Sequence, residues 1–503
     1  MNIQIDKSKK IPLYRQIVEQ IQAQITSGEI PEGFQLPSER QLADALGVNR
    51  TTVLNAYKEL KADGLMASHV GRGTVAVKCI NHEAPCAPVL REPIWEHLYS
   101  DYTKNHSGFN INKYLEFANR KDTISFAAGI ASFESPPISA FEGIEEILLA
   151  NPKELLVSPV AGFSSLRKVM SSYMQRRSCF CQPSEIMIIS GAQQGIDLIS
   201  RAFINPGDIV LIEEPSFFPA IQSFRVMGAN IMTIPMEEDG MDVIILEQLL
   251  ARYQPKLIYT MPTYHNPCGI TMSVSKRVRL LELANKYAVP VLEDDPYSEL
   301  NYGNQVISPL KSMDKSGYVI YLSTFSKTIY PGLRLGWICA NKKLICQLSN
   351  IRQLMDLHSS CISQQIVERF IVSGEMDKYL KVICSNYQER RDLMTDALSK
   401  YAPPGLIWNS PAGGYYLWVK LPDGLSADAL ATLAAEKGVA VLPGGPTCLT
   451  NSKGDNYIRL NYTFPLKSNI ADGVKILCGV VEGLIVETKK HKQLVTGEIN
   501  PIL

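Results

Sequence analysis

The 503-residue sequence lacks the features that mark several protein classes. No uninterrupted apolar run approaches the roughly 18 residues that a membrane-spanning helix needs, and the first ten residues contain no apolar stretch typical of a secretion signal. No CxxC pair suggests a zinc site, so no metal is expected, and the 11 cysteines are expected to be free thiols. These absences predict a cytoplasmic protein without a membrane segment.

An excess charge of one sign is also lacking, because 50 basic residues balance 50 acidic ones. No overall field therefore favours binding to nucleic acid or to a membrane surface. Residues 1–78 hold ten basic and eight acidic side chains, which is only a weak basic bias. Any contact with DNA must come from the placement of single side chains rather than from bulk charge.

Three zones follow one another along the chain. Residues 1–78 show short helical periodicities, and residues 79–120 have no clear pattern and contain the proline-rich stretch NHEAPCAPVLREP of a linker. Residues 121–490 alternate short apolar runs with helical patterns, which predicts an α/β domain with a sheet buried on both faces. The strand-like runs are EIMIIS, DIVLIEEP, ANIMTIPM, KLIYTMP, VPVLEDD and GYVIYLSTFS. Toward the end, GGYYLWVKLP and NYIRLNYT predict a smaller α+β lobe.

The N-terminal zone predicts a helix-turn-helix. A first helix is expected over 12–27, a second after the capping-box pair Ser38 and Gln41, and a third capped by Asn49. The start of the third helix would enter the major groove with Arg50, Thr51 and Thr52. A hairpin follows, whose tip Arg72–Gly73 could reach the minor groove. On periodicity alone, a small helical domain that binds another protein remains an alternative.

The motifs PLYRQIVEQI, LPSERQLADALGVNRTTVLNAYKEL and GRGTV decide between these interpretations, because over residues 11–77 they strongly resemble the GntR-type winged-helix family. The resemblance implies a domain that binds double-stranded operator DNA. The positions implied to contact DNA are Arg40, Arg50, Thr52, Arg72 and Gly73.

In the C-terminal zone, a lysine and an arginine lie seven residues apart after the apolar run VIYLS. Lys327 and Arg334, with the hydroxyls of Ser323 and Ser326, could hold an aldehyde and a phosphate at once. Taken alone, such a pair is more often a solvated surface feature.

Further polar groups follow other strand-like runs. Asp294 ends VPVLED and Tyr297 follows it, at the strand end where α/β sheets bind ligands. Asn266 lies in the turn HNPCG, and the backbone N–H groups of Ala192 and Gln193 begin a helix that could bind an anion. Each of these features alone also fits an ordinary cap or turn.

The ordered set SGAQQG, EEPSF, NPCG, DDPY, STFSK and PGLRLGW resembles the fold-type I aminotransferases of class I/II over residues 121 to about 485. The resemblance implies a mostly parallel central sheet and pyridoxal 5'-phosphate (PLP) as cofactor. Residues implied to hold PLP are Asn266, Asp294, Tyr297, Lys327 and Arg334, with Lys327, Asp294 and Tyr297 in catalytic positions. Phe217 would stack on the ring, Arg459 would bind the substrate α-carboxylate, and Gly129 would line the amino-acid site.

Together the two parts are similar to the MocR subgroup of GntR regulators, which implies a homodimer that senses an amino acid, an amine or PLP itself. An active aminotransferase that uses an amino acid and a 2-oxo acid is the alternative. Two departures bear on catalysis: Phe217 lacks the hydroxyl of the tyrosine common in the family, and Val157 occupies a position that is commonly tyrosine.

Overall fold

The computed structural model describes residues 1–7, 11–69, 73–77, 95–105, 122–130, 134, 136–150, 152–153, 155–303 and 307–496. The chain divides into two compact units, Met1–His97 and Leu98–Leu503. The predicted linker 79–120 falls mostly outside the described residues, which include short helices at Trp95–Leu98 and Asp101–Asn105.

The first unit consists of three helices and a hairpin. The helices are Leu13–Thr26, Glu39–Leu46 and Arg50–Ala62, and the hairpin pairs β1 (Met66–His69) with β2 (Gly73–Ala76). Ile17, Ile21, Val53 and Leu60 form its buried centre because they recur at helical spacing on facing sides of the first and third helices. The predicted start and end of the first helix are each within one residue of the observed ones.

The second unit is built on an eight-stranded sheet. Its strands are β4 (Ile186–Ile189), β5 (Ile209–Glu214), β6 (Asn230–Glu237), β7 (Gly240–Met241), β8 (Leu257–Thr260), β9 (Val291–Asp294), β10 (Val319–Thr324) and β11 (Gly336–Cys339). The strand order is β4-β11-β10-β9-β8-β5-β6-β7, and the pairs β10–β9, β9–β8, β8–β5 and β5–β6 are parallel. Every residue of β4, β8, β9, β10 and β11 is buried, which confirms that helices cover both faces.

The helices around this sheet are Ile138–Phe141, Ile144–Ala150, Ser164–Gln175, Ala192–Phe203, Phe218–Val226, Val243–Arg252, Val274–Tyr287, Leu310–Met313, Lys342–Gln353 and Cys361–Val372. The long helices Glu375–Tyr401 and Ile470–Thr496 pack against each other. Among the described residues, no helix is long and apolar enough to cross a membrane.

The smaller lobe has a sheet of four strands, β12 (Ile407–Trp408), β13 (Tyr416–Lys420), β15 (Leu442–Pro443) and β16 (Tyr457–Asn461), in the order β12-β13-β16-β15. A short parallel pair joins β3 (Ile124–Ser125) to β14 (Val439–Ala440), and the helices Ala427–Glu436 and Asn451–Gly454 complete the lobe. The predicted α+β lobe is therefore present.

Candidate functional site

In the first unit, three of the predicted DNA contacts line one surface depression. Arg40 comes from the second helix, Arg50 from the start of the third, and Gly73 from the hairpin. The guanidinium of Arg50 is 69% exposed and lies 3.4 Å from Glu39. Thr51 is exposed and Thr52 is half-buried beside it, whereas Arg72 lies outside the described residues.

Local hydrogen bonds fix the start of the third helix in that depression. The side chain of Asn49 accepts from the backbone N–H of Thr51 at 3.1 Å, which caps the helix. Ser38 and Gln41 form the predicted capping box of the second helix. The hydroxyl of Tyr57 donates to the carbonyl of Pro37 at 2.8 Å and so ties the two helices together.

In the second unit, a cavity of about 320 Å³ lies at the carboxyl ends of the parallel strands. Asp294 ends β9, and Ser326 and Lys327 follow the end of β10. Eleven predicted residues line the cavity: Gly129, Ala192, Gln193, Phe217, Asn266, Asp294, Tyr297, Ser326, Lys327, Arg334 and Arg459. Residues that are up to 330 positions apart in the chain thus meet at one place.

Asp294 presents one free carboxylate oxygen inside this cavity. Its Oδ2 accepts from the hydroxyl of Tyr259 at 2.8 Å, and its buried Oδ1 has no hydrogen-bond partner among the described residues. Burial raises the pKa of Asp294 to about 7, against the lowering effect of the Tyr259 hydrogen bond. A buried acceptor of this kind suits a cationic N–H donor, such as the protonated pyridine nitrogen of PLP.

Lys327 lies across the cavity with its amine held by backbone. Its Nζ donates to the carbonyl oxygen of Gly129, and the hydroxyl of Tyr415 donates to the Lys327 carbonyl at 2.7 Å. Burial lowers the pKa of the Lys327 amine. A larger neutral fraction makes this amine a better nucleophile toward an aldehyde.

A phosphate cradle is formed where the helix Ala192–Phe203 begins. Arg334 donates from Nη1 to the Ser326 hydroxyl at 3.1 Å and from Nη2 to the Ser190 carbonyl at 3.3 Å. Gly191 has a φ of +96°, and a Cβ there would lie 2.7 Å from Arg334 Nη2. Backbone N–H groups of a helix start, a hydroxyl and a guanidinium together are the donors that a phosphate monoester requires.

Arg459 on β16 completes the site at its other end. Its Nη1 donates to Asn266 Oδ1 at 3.0 Å and its Nη2 to the Ala127 carbonyl at 2.8 Å, while its buried Nε has no hydrogen-bond partner among the described residues. The guanidinium carbon lies 4.1 Å from the ring centre of Tyr416. This arrangement suits one carboxylate.

Ser323 is the predicted residue that the structure does not bring to the cavity wall. Its hydroxyl donates to the backbone carbonyl of Asp295 at 2.6 Å, and the next residue, Thr324, lines the cavity instead. Side chains alternate between the two faces of a strand, so only one of these neighbours can face the cavity. Val157, which occupies a position that is commonly tyrosine in the family, is 68% exposed.

Two tyrosines of the site are not marked by any motif of the sequence. The hydroxyl of Tyr259 donates to Asp294. The ring of Tyr416 packs against the guanidinium of Arg459, and its hydroxyl accepts a hydrogen bond from the hydroxyl of Tyr297 at 3.3 Å. The apolar run KLIYTMP gave no reason to select Tyr259. The predicted strand GGYYLWVK contains Tyr416, but the alternation of side chains along this strand does not reveal which of them face the site.

Comparison with known proteins supports both halves of this description. Residues 121–469 match the aminotransferase class I and II family, and residues 13–75 match the gntR family of bacterial regulatory proteins. The chain is 31% identical to the uncharacterized HTH-type transcriptional regulator YdfD of Bacillus subtilis, over 93% of this chain and 96% of that protein. It is 26% identical to the probable rhizopine catabolism regulatory protein MocR of Rhizobium meliloti, over 87% of this chain and 88% of that protein.

A solved structure shows the same fold for the second unit. The kynurenine aminotransferase of Pyrococcus horikoshii, solved in complex with PMP, superposes with a TM-score of 0.74 at 34% identity, over 78% of this chain and 98% of that one. The site fits PLP at three points. The Asp294 oxygen without a partner fits the ring nitrogen, the Lys327 amine fits the aldehyde, and the cradle at Gly191 and Arg334 fits the phosphate. The chain therefore belongs to the class I and II aminotransferase family, takes PLP as its cofactor, and carries the GntR-type module that marks regulators of the MocR type.

Proposed function

We propose that this chain is a DNA-binding transcription regulator whose affinity for its operator changes when an amino acid or amine binds at the PLP site. One observation carries the proposal. The three groups that a cofactor-bound amino acid requires, Asp294, Lys327 and Arg459, line a single cavity in a chain that also has an exposed helix start bearing Arg50.

The residues of the cavity have separate tasks in this proposal. PLP supplies an aldehyde that condenses with primary amines and a ring that withdraws electrons. Lys327 would hold the cofactor aldehyde through its amine, and Arg459 would orient a ligand carboxylate. Asp294 would keep a proton on the ring nitrogen, and Arg334 with Ser326 would anchor the phosphate.

Contacts of Lys327 and Arg459 join the large and small lobes of the second unit. The Lys327 amine contacts the carbonyl of Gly129, and the nearby carbonyl of Ala127 accepts from Arg459 on β16. A ligand that binds at both the cofactor and Arg459 would therefore contact both lobes, and it would shift the population of any lobe arrangement in which these contacts differ.

We further propose that the regulator is a homodimer and acts in the cytoplasm, where its operator lies. Two neighbouring segments present large apolar side chains to solvent: Leu354 and Leu357 after one helix, and Leu156 and Val157 before another. Arg352 joins the segments, because its Nη1 donates to the Val160 carbonyl at 3.2 Å. Exposed apolar side chains grouped in this way are typical of a protein interface.

The experiment is a titration of the full-length protein with a labelled DNA from upstream of its own gene, followed by fluorescence anisotropy. We expect sequence-selective binding whose affinity changes when an amino acid or amine is added to the PLP-loaded protein. A response to PLP alone would indicate a sensor of the cofactor. Absence of selective DNA binding with and without PLP would contradict the proposal.

An active aminotransferase remains the second candidate, because Lys327, Asp294 and Arg459 are all in place. Complete conversion of the bound aldehyde cofactor to its amine form by many amino acids, without any effect on DNA binding, would favour this candidate.

A further inference from the structure

We propose that Cys179, Cys181 and Cys339 form an oxidation site, at which a peroxide converts the thiols of Cys181 and Cys339 into a disulfide. All three residues are free thiols in the structure. They are not among the described residues that line the cofactor cavity. The inference therefore stands apart from the proposed regulatory function and from the chemistry of PLP.

The three side chains come from two parts of the second unit. Cys179 and Cys181 lie in the segment that leads into β4, and Cys339 is the last residue of β11. The two strands pair so that Ile186 lies opposite Cys339, and the backbone N–H of the following residue donates to the Glu185 carbonyl at 2.9 Å. This pairing holds the end of β11 beside the segment that carries the other two thiols.

The segment before β4 presents both of its cysteines to the protein interior. Cys179 and Cys181 are 2% and 6% exposed, whereas Phe180 between them is 81% exposed. This alternation is typical of an extended chain, in which every second side chain points to the same side. The two thiols therefore lie directly beneath the protein surface, on the side of the segment opposite Phe180.

Hydrogen bonds join the three thiols. Cys181 is hydrogen-bonded to Cys179 and to Cys339, and these bonds lower the pKa of the Cys181 thiol against the raising effect of burial. Hydrogen bonding to neighbouring thiols raises the pKa of Cys179 and that of Cys339. The carboxylate of Glu185 opposes a thiolate at Cys181, and the ammonium of Lys311 favours it. The arrangement thus holds one thiolate between two thiols.

Hydrogen peroxide can oxidise such a cluster in two steps. The Cys181 thiolate attacks a peroxide oxygen, so an S–O bond forms, the O–O bond breaks, and the leaving hydroxide takes a proton to become water. The Cys339 sulfur then attacks the Cys181 sulfur, so the S–S bond forms and the S–O bond breaks. The departing oxygen leaves as a second water with the Cys339 proton. The two thiols lose two electrons, and the peroxide gains them.

The geometry favours Cys339 over Cys179 as the partner of Cys181. Two Cα atoms that are two residues apart in an extended chain are separated by about 6.6 Å. This value is close to the upper limit of about 6.8 Å for a disulfide. Cys339 lies on a different strand, so the covalent chain does not fix its distance from Cys181.

The test treats the full-length, PLP-loaded protein with hydrogen peroxide at neutral pH. The remaining thiols are alkylated in denaturant, and the unreduced protein is cleaved with chymotrypsin, which cuts after Phe180 and so separates Cys179 from Cys181. Mass spectrometry should show a bond between Cys181 and Cys339 that dithiothreitol reverses. A disulfide between any other pair overturns the inference, and so does oxidation of Cys181 without a disulfide or the persistence of both free thiols.

Cys361 provides the matched control, because it is 6% exposed, as Cys181 is, and burial raises its pKa. We expect the Cys181 thiol to be lost roughly tenfold or more faster than the Cys361 thiol. This comparison is made within the wild-type protein and so needs no variant to fold. Equal rates at the two positions would contradict the special reactivity of the cluster.

Two variants test the second step. Cys339→Ser removes the attacking sulfur, so we expect a sulfenic acid at Cys181 that dimedone traps. Cys361→Ser should form the same disulfide as the wild-type protein. Loss of the disulfide in Cys361→Ser, or its absence from the wild-type protein, would refute the assignment.

Discussion

At the scale of single residues, Asp294 makes the stability of the PLP-free protein depend on pH. Burial raises its pKa from about 3.8 to about 7, so the folded state holds the proton more tightly than the unfolded chain does. The corresponding stabilisation is complete below about pH 4 and is lost as pH rises to about 7.

The variant Asp294→Asn removes this titration. Between pH 5 and pH 8 we expect the wild-type protein without PLP to lose about 3 kcal/mol more stability than the variant. Denaturant unfolding at the two pH values measures the difference. Bound PLP would offer Oδ1 of Asp294 a cationic partner, so saturating PLP should reduce this difference in stability between the wild-type protein and the variant. Parallel pH profiles for the two PLP-free proteins would contradict the assignment.

The sequence predicted most residues of the site, but it did not predict the side chains that hold these residues in position. Asp294, Lys327 and Arg334 were identifiable because each lies in a short motif with a fixed chemistry. Tyr259 and Tyr416 were missed, since their roles depend on contacts with residues 35 and more positions away. The STFSK motif predicts Ser323 as a phosphate ligand, but Thr324 lines the cavity instead, because the motif does not reveal which face of the strand meets the cavity.

At the scale of elements, the turn between β4 and the helix Ala192–Phe203 shapes the phosphate cradle. We expect Gly191→Ala to weaken PLP binding by roughly tenfold or more, since the new Cβ would collide with Arg334 and the residue would keep a positive φ. Gly207→Ala is the matched control, with a φ of +88° and nothing within 4 Å of its Cβ. PLP affinity is read from cofactor absorbance after dialysis. Equal losses in the two variants would show that backbone strain, not the cradle, is responsible.

The start of the third helix should dominate DNA recognition. Arg50→Ala is expected to lower operator affinity by roughly tenfold or more, the range of one good contact to a base edge. Lys58→Ala removes the same charge from an exposed position further along the same helix and should have a smaller effect. Anisotropy titrations at one salt concentration compare them. A larger loss for Lys58→Ala would place the contact surface elsewhere.

The elements themselves were largely predictable. All six strand-like runs became strands, because nearly continuous apolar sequence is typical of a sheet covered on both faces. The sheet order was not predictable. The antiparallel strand β11 lies between β4 and β10, so β4 pairs with a strand more than a hundred residues later in the chain. Pairing of this kind is decided by tertiary packing.

At the scale of the whole molecule, the exposed apolar segments predict self-association. Leu354 is 90% exposed, and we expect Leu354→Asp to weaken a homodimer by roughly tenfold or more without unfolding the protein. Sedimentation velocity over a concentration series measures the dissociation. Lys381→Asp on the helix Glu375–Tyr401 serves as the control, since it changes charge outside these segments. A monomeric wild-type protein would refute the dimer.

The most direct measurement asks which lysine holds the cofactor. The PLP-loaded protein is reduced with borohydride, which makes the bond between the cofactor carbon and the lysine nitrogen permanent, and the peptides are analysed by mass spectrometry. The account predicts one phosphopyridoxyl group, on Lys327, and none in Lys327→Ala. A label on another lysine, or on no lysine at all, would contradict it.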